Sequence, residues 1–377
     1  MTDVTFEQTR WSLEDLLPAT EGPELDRILA ELEAAVSALE ASREQLSPDI
    51  APAEFERLLD LVEQIAILSQ RPGAYSYLWY AEDTQDQAAL AFRGRMDKLL
   101  TEVQNRMLFF TLWWKKLEDE PAQRLLAVSG DAAYYLESLR RFKPHTLSEA
   151  EEKIINLKDI NGADALVTVY EMITNAFTYQ VEIEGEIKEL NRAELMVYAR
   201  DPRPKVRAAV YQELYRLFGE EGTVLGQIYQ YVVRDWASEN LALRDFTSPI
   251  SVRNLANDIP DPVVDTLLEV CRENAPVFQR YFRLKAGWLG LERLRRYDVY
   301  APLGASDKTY AFDQAAQMVL DSLNGFAPLL ADQARRVFAD NHLDSEIRPR
   351  KDTGAFCAGV LPGVAPWVLV NYNGKIS

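Results

Sequence analysis

The sequence contains little histidine and little cysteine, with two residues of each among 377. Cys271 and Cys357 are too few for a disulfide framework, so we expect two reduced thiols. His145 and His342 lie far apart, and neither has a second His or Cys at metal-ligand spacing. We therefore predict no metal site in this chain. We interpret His145 as a loop residue before a helix, and His342 as a structural residue at a helix end, where a cation suits the helix dipole.

Long apolar runs and positive charge are also missing. No segment approaches the ~18 apolar residues of a membrane span, and the first residues lack the basic and apolar regions of a signal peptide. The net charge of −18 opposes binding to nucleic acid or to an anionic membrane surface. We expect a cytoplasmic protein with no nucleic-acid or membrane partner.

Helical periodicity dominates the first 290 residues or so. One stripe spans positions 25–39 and a second spans positions 55–65. A long helix is predicted from Asp261 to Gly290, with apolar side chains on one side: Val263, Val264, Leu267, Val270, Cys271 and Phe278. Ser148 and Glu151 form a capping box that predicts a helix start. Pairs of glycines, at 219 and 222 and at 287 and 290, mark helix ends.

Strand patterns are few and local. Residues 178–183 and 186–188 predict a hairpin, residues 297–300 a short strand, and residues 354–372 a strand, a turn and a buried strand. A seam between residues 188 and 204 separates an N-terminal helical part from the rest. The pairs Glu151–Glu152 and Glu220–Glu221 fit solvated helix faces.

Aromatic residues cluster on two helices, at positions 75–80 and 109–114. Such stripes are typical of a helix–helix core, although some rings could instead line a peptide-binding cleft. A nucleophilic pair of Cys357 and His342 is conceivable, but a small buried thiol is the commoner role of such a cysteine.

The most informative segment is Gly354, Ala355, Phe356 and Cys357. Small residues in a strand let another backbone approach, and a free strand edge can accept an extended peptide. This segment is therefore a candidate platform for the main chain of a substrate; an ordinary hairpin strand is the alternative.

Segments along nearly the whole chain resemble the M3 oligoendopeptidases of the oligoendopeptidase F type. They occur in the order of that family, at residues 143–153, 207–211, 233–236, 246–250, 253–258, 281–285, 289–291, 297–303, 348–351, 354–357 and 368–372. The order and spacing together make the resemblance specific.

The resemblance implies a mainly α, multi-helix, two-lobed peptidase scaffold with a small β-sheet near the C-terminal end. It implies an N-terminal helical domain at 1–190 and the first part of the catalytic domain at 191–377. Family members hydrolyse short peptides with zinc held by His-Glu-x-x-His and a later Glu. That motif does not occur here, so no catalytic or metal residue can be assigned; Gly354, Ala355, Phe356 and Cys357 match the substrate-backbone strand.

We therefore expect the N-terminal portion of a zinc peptidase, cut before the zinc helix and inactive alone, with zinc only in the complete enzyme. The apolar run 367–370 would lose burial against the missing helix and leave apolar surface exposed. One half of a split peptidase, with the catalytic portion as a partner chain, and a non-catalytic helical peptide-binding protein are the alternatives. An unrelated helical structural protein is a third.

Overall fold

A computed structural model describes residues 6–304 and 308–374. Helices make up most of it, and the strands form a two-stranded sheet and a three-stranded sheet. The second sheet lies near the C-terminal end of the chain. The predicted fold class, mainly helical with a small C-terminal sheet, is confirmed.

The first part of the chain is a stack of helices. They are α1 Pro23–Ala41, α2 Pro52–Glu82, α3 Gln87–Lys116, α4 Asp119–Leu126, α5 Ala133–Arg141, α6 Glu149–Asp159 and α7 Ala163–Asn175. Both predicted stripes, on α1 and α2, lie largely in the buried core. Phe55 of α2 stacks on Trp114 of α3 at 5.5 Å between ring centroids. The aromatic stripe at 109–114 is therefore mainly helix–helix core, as predicted.

Local sequence signals account for several helix starts. Asp86 precedes α3, and its carboxylate accepts hydrogen bonds from the N–H groups of Ala88 and Ala89. The capping box of Ser148 and Glu151 before α6 is present, as predicted. Each side chain satisfies a backbone N–H that the first helical turn leaves without a partner.

A hairpin and four helices follow. The hairpin pairs β1 Tyr179–Ile183 with β2 Glu186–Leu190 in antiparallel register, which confirms the prediction. The helices are α8 Arg192–Tyr198, α9 Pro204–Glu220, α10 Gly222–Ala237 and α11 Pro249–Ala256. A π-helical turn, Ser238–Leu243, extends α10. The predicted break between residues 219 and 222 is confirmed.

The long predicted helix is present as α12 Asp261–Trp288, but its apolar side is not buried. Leu267 is 59% exposed and Phe278 is 61% exposed. Few other described elements pack against α12, so the described residues leave most of the apolar stripe uncovered. Further large apolar side chains are exposed on α10 and on α13 Phe312–Phe326; α14 Pro328–Ala339 packs against α13.

The predicted strand at 297–300 is wrong. Arg296–Asp298 is a 3-10 turn instead. Asp298 accepts a hydrogen bond from the Arg295 backbone N–H and pairs with Arg207, whose Nη2 lies 2.7 Å from the carboxylate. Both side chains of that ion pair are 1% exposed. The buried ion pair fixes a turn where the alternating side chains had predicted a strand.

The prediction that Glu152 is solvated is also wrong. Glu151 is exposed, whereas Glu152 is only 8% exposed and receives two hydrogen bonds of 2.8 Å from the guanidinium of Arg244. Burial opposes ionisation, but the hydrogen bonds from Arg244 prevail and lower the pKa of Glu152.

No helix in the described parts of the chain is long and apolar enough to cross a bilayer.

Asp159, the last residue of α6, makes the folding stability of the protein depend on pH. Burial and the nearby carboxylates of Glu239, Asp235 and Asp164 raise its pKa to about 6. Because the unfolded state ionises at about 4, stability falls as the pH rises from about 4 to about 6. Asp159→Asn should therefore raise the melting temperature at pH 7.5, and raise it less at pH 5. The exposed Asp265→Asn is the control; an equal gain at both pH values would contradict the assignment.

Candidate functional site

The C-terminal sheet has three short strands in the order β3-β5-β4. They are β3 Leu343–Asp344, β4 Phe356–Ala358 and β5 Trp367–Leu369. β5 is central, parallel to β3 and antiparallel to β4. Nothing within the described ranges pairs with the outer side of β4, so the predicted platform is an open edge.

Hydrogen bonds to β3 fix which way the backbone of β5 faces. The N–H groups of Val368 and Val370 donate to the carbonyl oxygens of His342 and Asp344, at 2.8 and 2.9 Å. Successive backbone groups of a strand point to opposite sides. The residues of β5 next to these valines therefore point toward β4.

The register of β4 then identifies its free groups. Phe356 pairs with Leu369, and Ala358 pairs with Trp367. These two residues of β4 direct their backbone groups to β5, so the N–H and C=O of Cys357 point outward. Cys357 is exposed. An extended peptide lying beside β4 would find one donor and one acceptor there.

The start of β4 is tied to the end of α2. The backbone N–H of Asp352 donates to the carbonyl of Ala81 at 2.9 Å. The backbone N–H and hydroxyl of Thr84 both donate to the carbonyl of Arg350, at 2.9 and 3.0 Å. Burial raises the pKa of Asp352. The open edge is thus held by the N-terminal helical part of the chain.

Asn371 holds the same segment from the other side. Its Nδ2 donates to the carbonyls of Gly354 and Asp352, at 2.9 and 3.2 Å. Gly354 has φ of +87°, a conformation that favours glycine. The glycine turn and the amide together direct the chain into β4.

A buried ionic cluster lies at the C-terminal ends of β3 and β5. Asp344 accepts hydrogen bonds from both Nη atoms of Arg348, at 2.7 and 2.5 Å, and from Nζ of Lys351 at 2.7 Å. Lys351 also donates to the carbonyl oxygens of Asp344, Glu346 and Val370. Burial lowers the pKa of Lys351, although Asp344 opposes this effect. The cluster joins β3, β5 and the loop that leads to β4.

Aromatic and charged side chains from α2 and α3 lie beside the platform. Tyr77 is 40% exposed, and its ring centroid lies 5.7 Å from that of Phe356. The guanidinium of Arg93 lies 5.9 Å from the Tyr77 ring and 4.4 Å from the Tyr80 ring. Tyr80 donates a hydrogen bond of 3.1 Å to Glu171. A ligand on the edge of β4 would therefore have an aromatic wall close by.

The four residues predicted for the site share one exposed segment. Gly354, Ala355 and Cys357 are exposed, and Phe356 is half-buried against Tyr77. Their role in binding a substrate stays a prediction. The expectation that Cys357 is a buried thiol is wrong, because its side chain lies on the solvent side of an edge strand.

Sequence reasoning did not single out Tyr77 or Asn371. Tyr77 had only the signal of an aromatic helical stripe, shared with buried neighbours such as Tyr80. Asn371 lay only within the family-like segment 368–372, with no indication that its amide reaches Gly354.

His145 is engaged in packing. Its Nδ1 lies 2.8 Å from the carbonyl oxygen of Arg244, and its ring stacks on Phe246 at 3.6 Å between centroids. This matches the structural role predicted for it.

His342 is also structural, as predicted: it follows α14, its backbone N–H donates to the carbonyl of Val337 at 2.9 Å, and its side chain is fully buried. Nδ1 lies 2.9 Å from the carbonyl of Ala365, Nε2 lies 3.2 Å from Asp15, and the ring stacks on Trp367. The two histidines therefore do not fit a zinc site. Over the described ranges, no group of three or more His, Cys, Asp or Glu residues is arranged to hold a metal ion.

The fold is that of solved oligoendopeptidases. The crystal structure of oligoendopeptidase-F from Enterococcus faecium superposes with a TM-score of 0.65 at 20% identity, covering 87% of this chain and 69% of that one. The family model for Oligopeptidase F matches residues 113–179, and that for Peptidase family M3 matches residues 197–377. The chain belongs to peptidase family M3, in its oligoendopeptidase F type.

Two curated relatives agree with this assignment. Group B oligopeptidase PepB of Streptococcus agalactiae is 25% identical over 81% of this chain and 52% of its own length. Oligopeptidase PepF of Bacillus subtilis is 21% identical over 100% of this chain and 56% of its own length. The chain thus spans about half the length of these relatives.

Proposed function

We propose that this chain is the part of a zinc-dependent M3 oligopeptidase that holds the main chain of a short peptide substrate. The peptide would lie along β4 and pair with the outward N–H and C=O of Cys357. The observation that carries the proposal is the open edge of β4, anchored on both sides and flanked by Tyr77.

The chain alone would bind peptides without cleaving them. The zinc chemistry of the family requires His-Glu-x-x-His, and the sequence has only His145 and His342, both committed to other contacts. Zinc would belong to the complete enzyme, held by residues outside these 377. When bound there, it would activate the water that attacks the peptide bond.

The exposed apolar faces of α10, α12 and α13 support the same proposal. Trp288 is 55% exposed, Tyr229 is 69% exposed and Phe326 is 84% exposed. Contiguous exposed apolar surface is typical of a protein interface. We propose that the part of the M3 fold present in the relatives but not in this chain covers these faces.

The prediction that the apolar run at 367–370 loses burial is wrong. Trp367 and Leu369 are fully buried, and Val368 and Val370 are half-buried within the chain. The uncovered apolar area lies on the helices instead.

The division into domains 1–190 and 191–377 also remains a proposal. The gap between the two family-model matches, after residue 179 and before residue 197, supports a boundary near 190. A cytoplasmic location also remains a prediction.

Replacing Cys357 by proline tests the peptide-binding edge. Proline removes an N–H that points away from β5, so the sheet should keep its own hydrogen bonds. A short fluorescent peptide should bind about tenfold more weakly, because an unpaired peptide carbonyl costs about 1–3 kcal/mol. Fluorescence anisotropy would give the affinity, and thermal unfolding would show that the variant is folded.

Cys357→Ala is the matched control, since it removes the thiol and keeps the N–H. It should bind the peptide as the unmodified protein does. Equal weakening by both substitutions, or by neither, would contradict binding through the backbone of β4. Chromatography of the peptide after incubation with zinc should show no cleavage. Cleavage by this chain would contradict the proposal that it binds peptides without hydrolysing them.

A further inference from the structure

A cavity with a volume of about 620 Å³ lies between helices α2, α3, α5 and α6 and the π-helical turn Ser238–Leu243. This size is typical of pockets that bind small molecules. It shares no lining residue with β4 or with the aromatic wall beside it. The function proposed above leaves this cavity unexplained.

Most of the cavity wall is apolar. The lining includes Ile65, Val103, Leu112, Leu139, Phe142 and Phe246. Ile65, Val103, Leu112 and Phe246 belong to the buried core, so their positions are fixed by packing. A hydrocarbon or aromatic group would replace water against these side chains favourably.

The cavity lining contains a lysine, Lys115. Lys115 has no hydrogen bond or ion pair to any described residue, although its side chain lines the cavity. Burial lowers the pKa of Lys115, and the nearby Glu152 offsets this only in part. Glu152 itself is occupied by Arg244 through two hydrogen bonds. The buried hydroxyl of Ser69, also in the lining, has no described partner either.

The backbone that lines one side of the cavity is irregular. The π-helical turn brings Asn240 and Arg244 into the lining, and Asp245 follows with φ of +56°. Single π-helical turns and strained residues often occur at ligand sites. Arg244 is held by Glu239 and Glu152, which makes this side of the cavity rigid.

We propose that the cavity binds a small apolar carboxylate, with its carboxylate on the ammonium of Lys115 and its apolar body against Ile65, Leu112 and Phe142. A neutral apolar molecule would leave Lys115 unpaired, and a small polar anion would leave the apolar wall exposed. Two sources share the required chemistry, a medium-chain fatty acid and the C-terminal residue of a peptide.

Selective labelling of the methionine methyl groups localises binding. Met107 lines the cavity, whereas Met318 is 44% exposed on α13. Decanoate, kept below its micelle concentration, and N-acetylphenylalanine are the two probes, and decanol is the uncharged comparison. The Met107 signal should shift with at least one carboxylate while the Met318 signal stays in place. The probe that binds more tightly identifies the source.

Lys115→Met tests the charge. It should weaken carboxylate binding about tenfold, the effect of losing one charge-assisted hydrogen bond, and leave decanol binding unchanged. The variant should fold, because Lys115 has no described hydrogen bond to lose. Lys116→Met, at the next and exposed position, is the control and should bind as the unmodified protein does.

The proposal is overturned if neither carboxylate moves the Met107 signal, or if Lys115→Met and Lys116→Met bind equally well. Cys357→Pro should leave carboxylate binding intact. The proposal for the cavity and the proposal for the edge of β4 are therefore tested independently.

Discussion

Asp344→Ala is expected to lower the free energy of unfolding by about 3–5 kcal/mol, because it leaves two cations buried without their counterion. Asp344 is fully buried and accepts hydrogen bonds from Arg348 and Lys351. Urea denaturation at neutral pH would measure the loss. Peptide binding at β4 should fall with it, since the cluster positions the strands.

Asp332→Ala is a matched control for this change. Asp332 also pairs with an arginine, Arg335, but the carboxylate is 67% exposed. Exposed pairs contribute about 0–1 kcal/mol, so this variant should unfold nearly as the unmodified protein does. Lys351→Met should cost less than Asp344→Ala, because Arg348 still neutralises the carboxylate. A loss for Asp344→Ala no larger than that of the control would contradict the role of the cluster.

Trp367→Ala is expected to cost about 3–5 kcal/mol of stability, the usual effect of emptying a large core site. Trp367 is fully buried, its indole N–H donates to the carbonyl of Ser12 at 2.8 Å, and its ring stacks on His342 at 3.8 Å between centroids. Its loss should also release the N-terminal segment from the sheet. Urea denaturation and limited proteolysis near residue 12 would measure the two effects.

Trp288→Ala is the control for Trp367, because the Trp288 side chain is 55% exposed. It should change the stability of this chain by less than about 1 kcal/mol, as most surface substitutions do. Similar losses of unfolding free energy for the two tryptophans would contradict the stabilising role of Trp367 in the C-terminal core.

Local patterns predicted the elements that depend on local physics. The stripe on α1, the capping box of Ser148 and Glu151 and the hairpin of β1 and β2 are set by neighbours in sequence. The helical period also placed α12, but it could not show that this apolar stripe has no described partner. Periodicity gives an apolar side, and only tertiary structure decides what covers it.

Long-range contacts could not be predicted in this way. β3 has two residues and pairs with β5 across a loop and another strand. The N-terminal segment contacts the chain just after β3, where the backbone N–H of Ser345 donates to the carbonyl of Thr9 at 2.9 Å. Neither partner carries a periodic signal. The burial of Asp344, Lys351 and Glu152 was equally hidden, since an isolated charged residue predicts exposure.

The same distinction between local patterns and long-range contacts applies to the candidate site. The position of Phe356 and Cys357 on a strand followed from residue type and from the family resemblance, whereas Gly354 and Ala355 lie just before β4 and not on it. The outward direction of the Cys357 backbone needed the register of β4 on β5. The wall formed by Tyr77 needed the contact between α2 and β4.

The most direct test of the central claim is a crystal structure of this chain with a short peptide bound. The peptide should lie extended beside β4, with hydrogen bonds to the N–H and C=O of Cys357 and a side chain near Tyr77. A peptide bound elsewhere while the edge of β4 stays free would contradict the account.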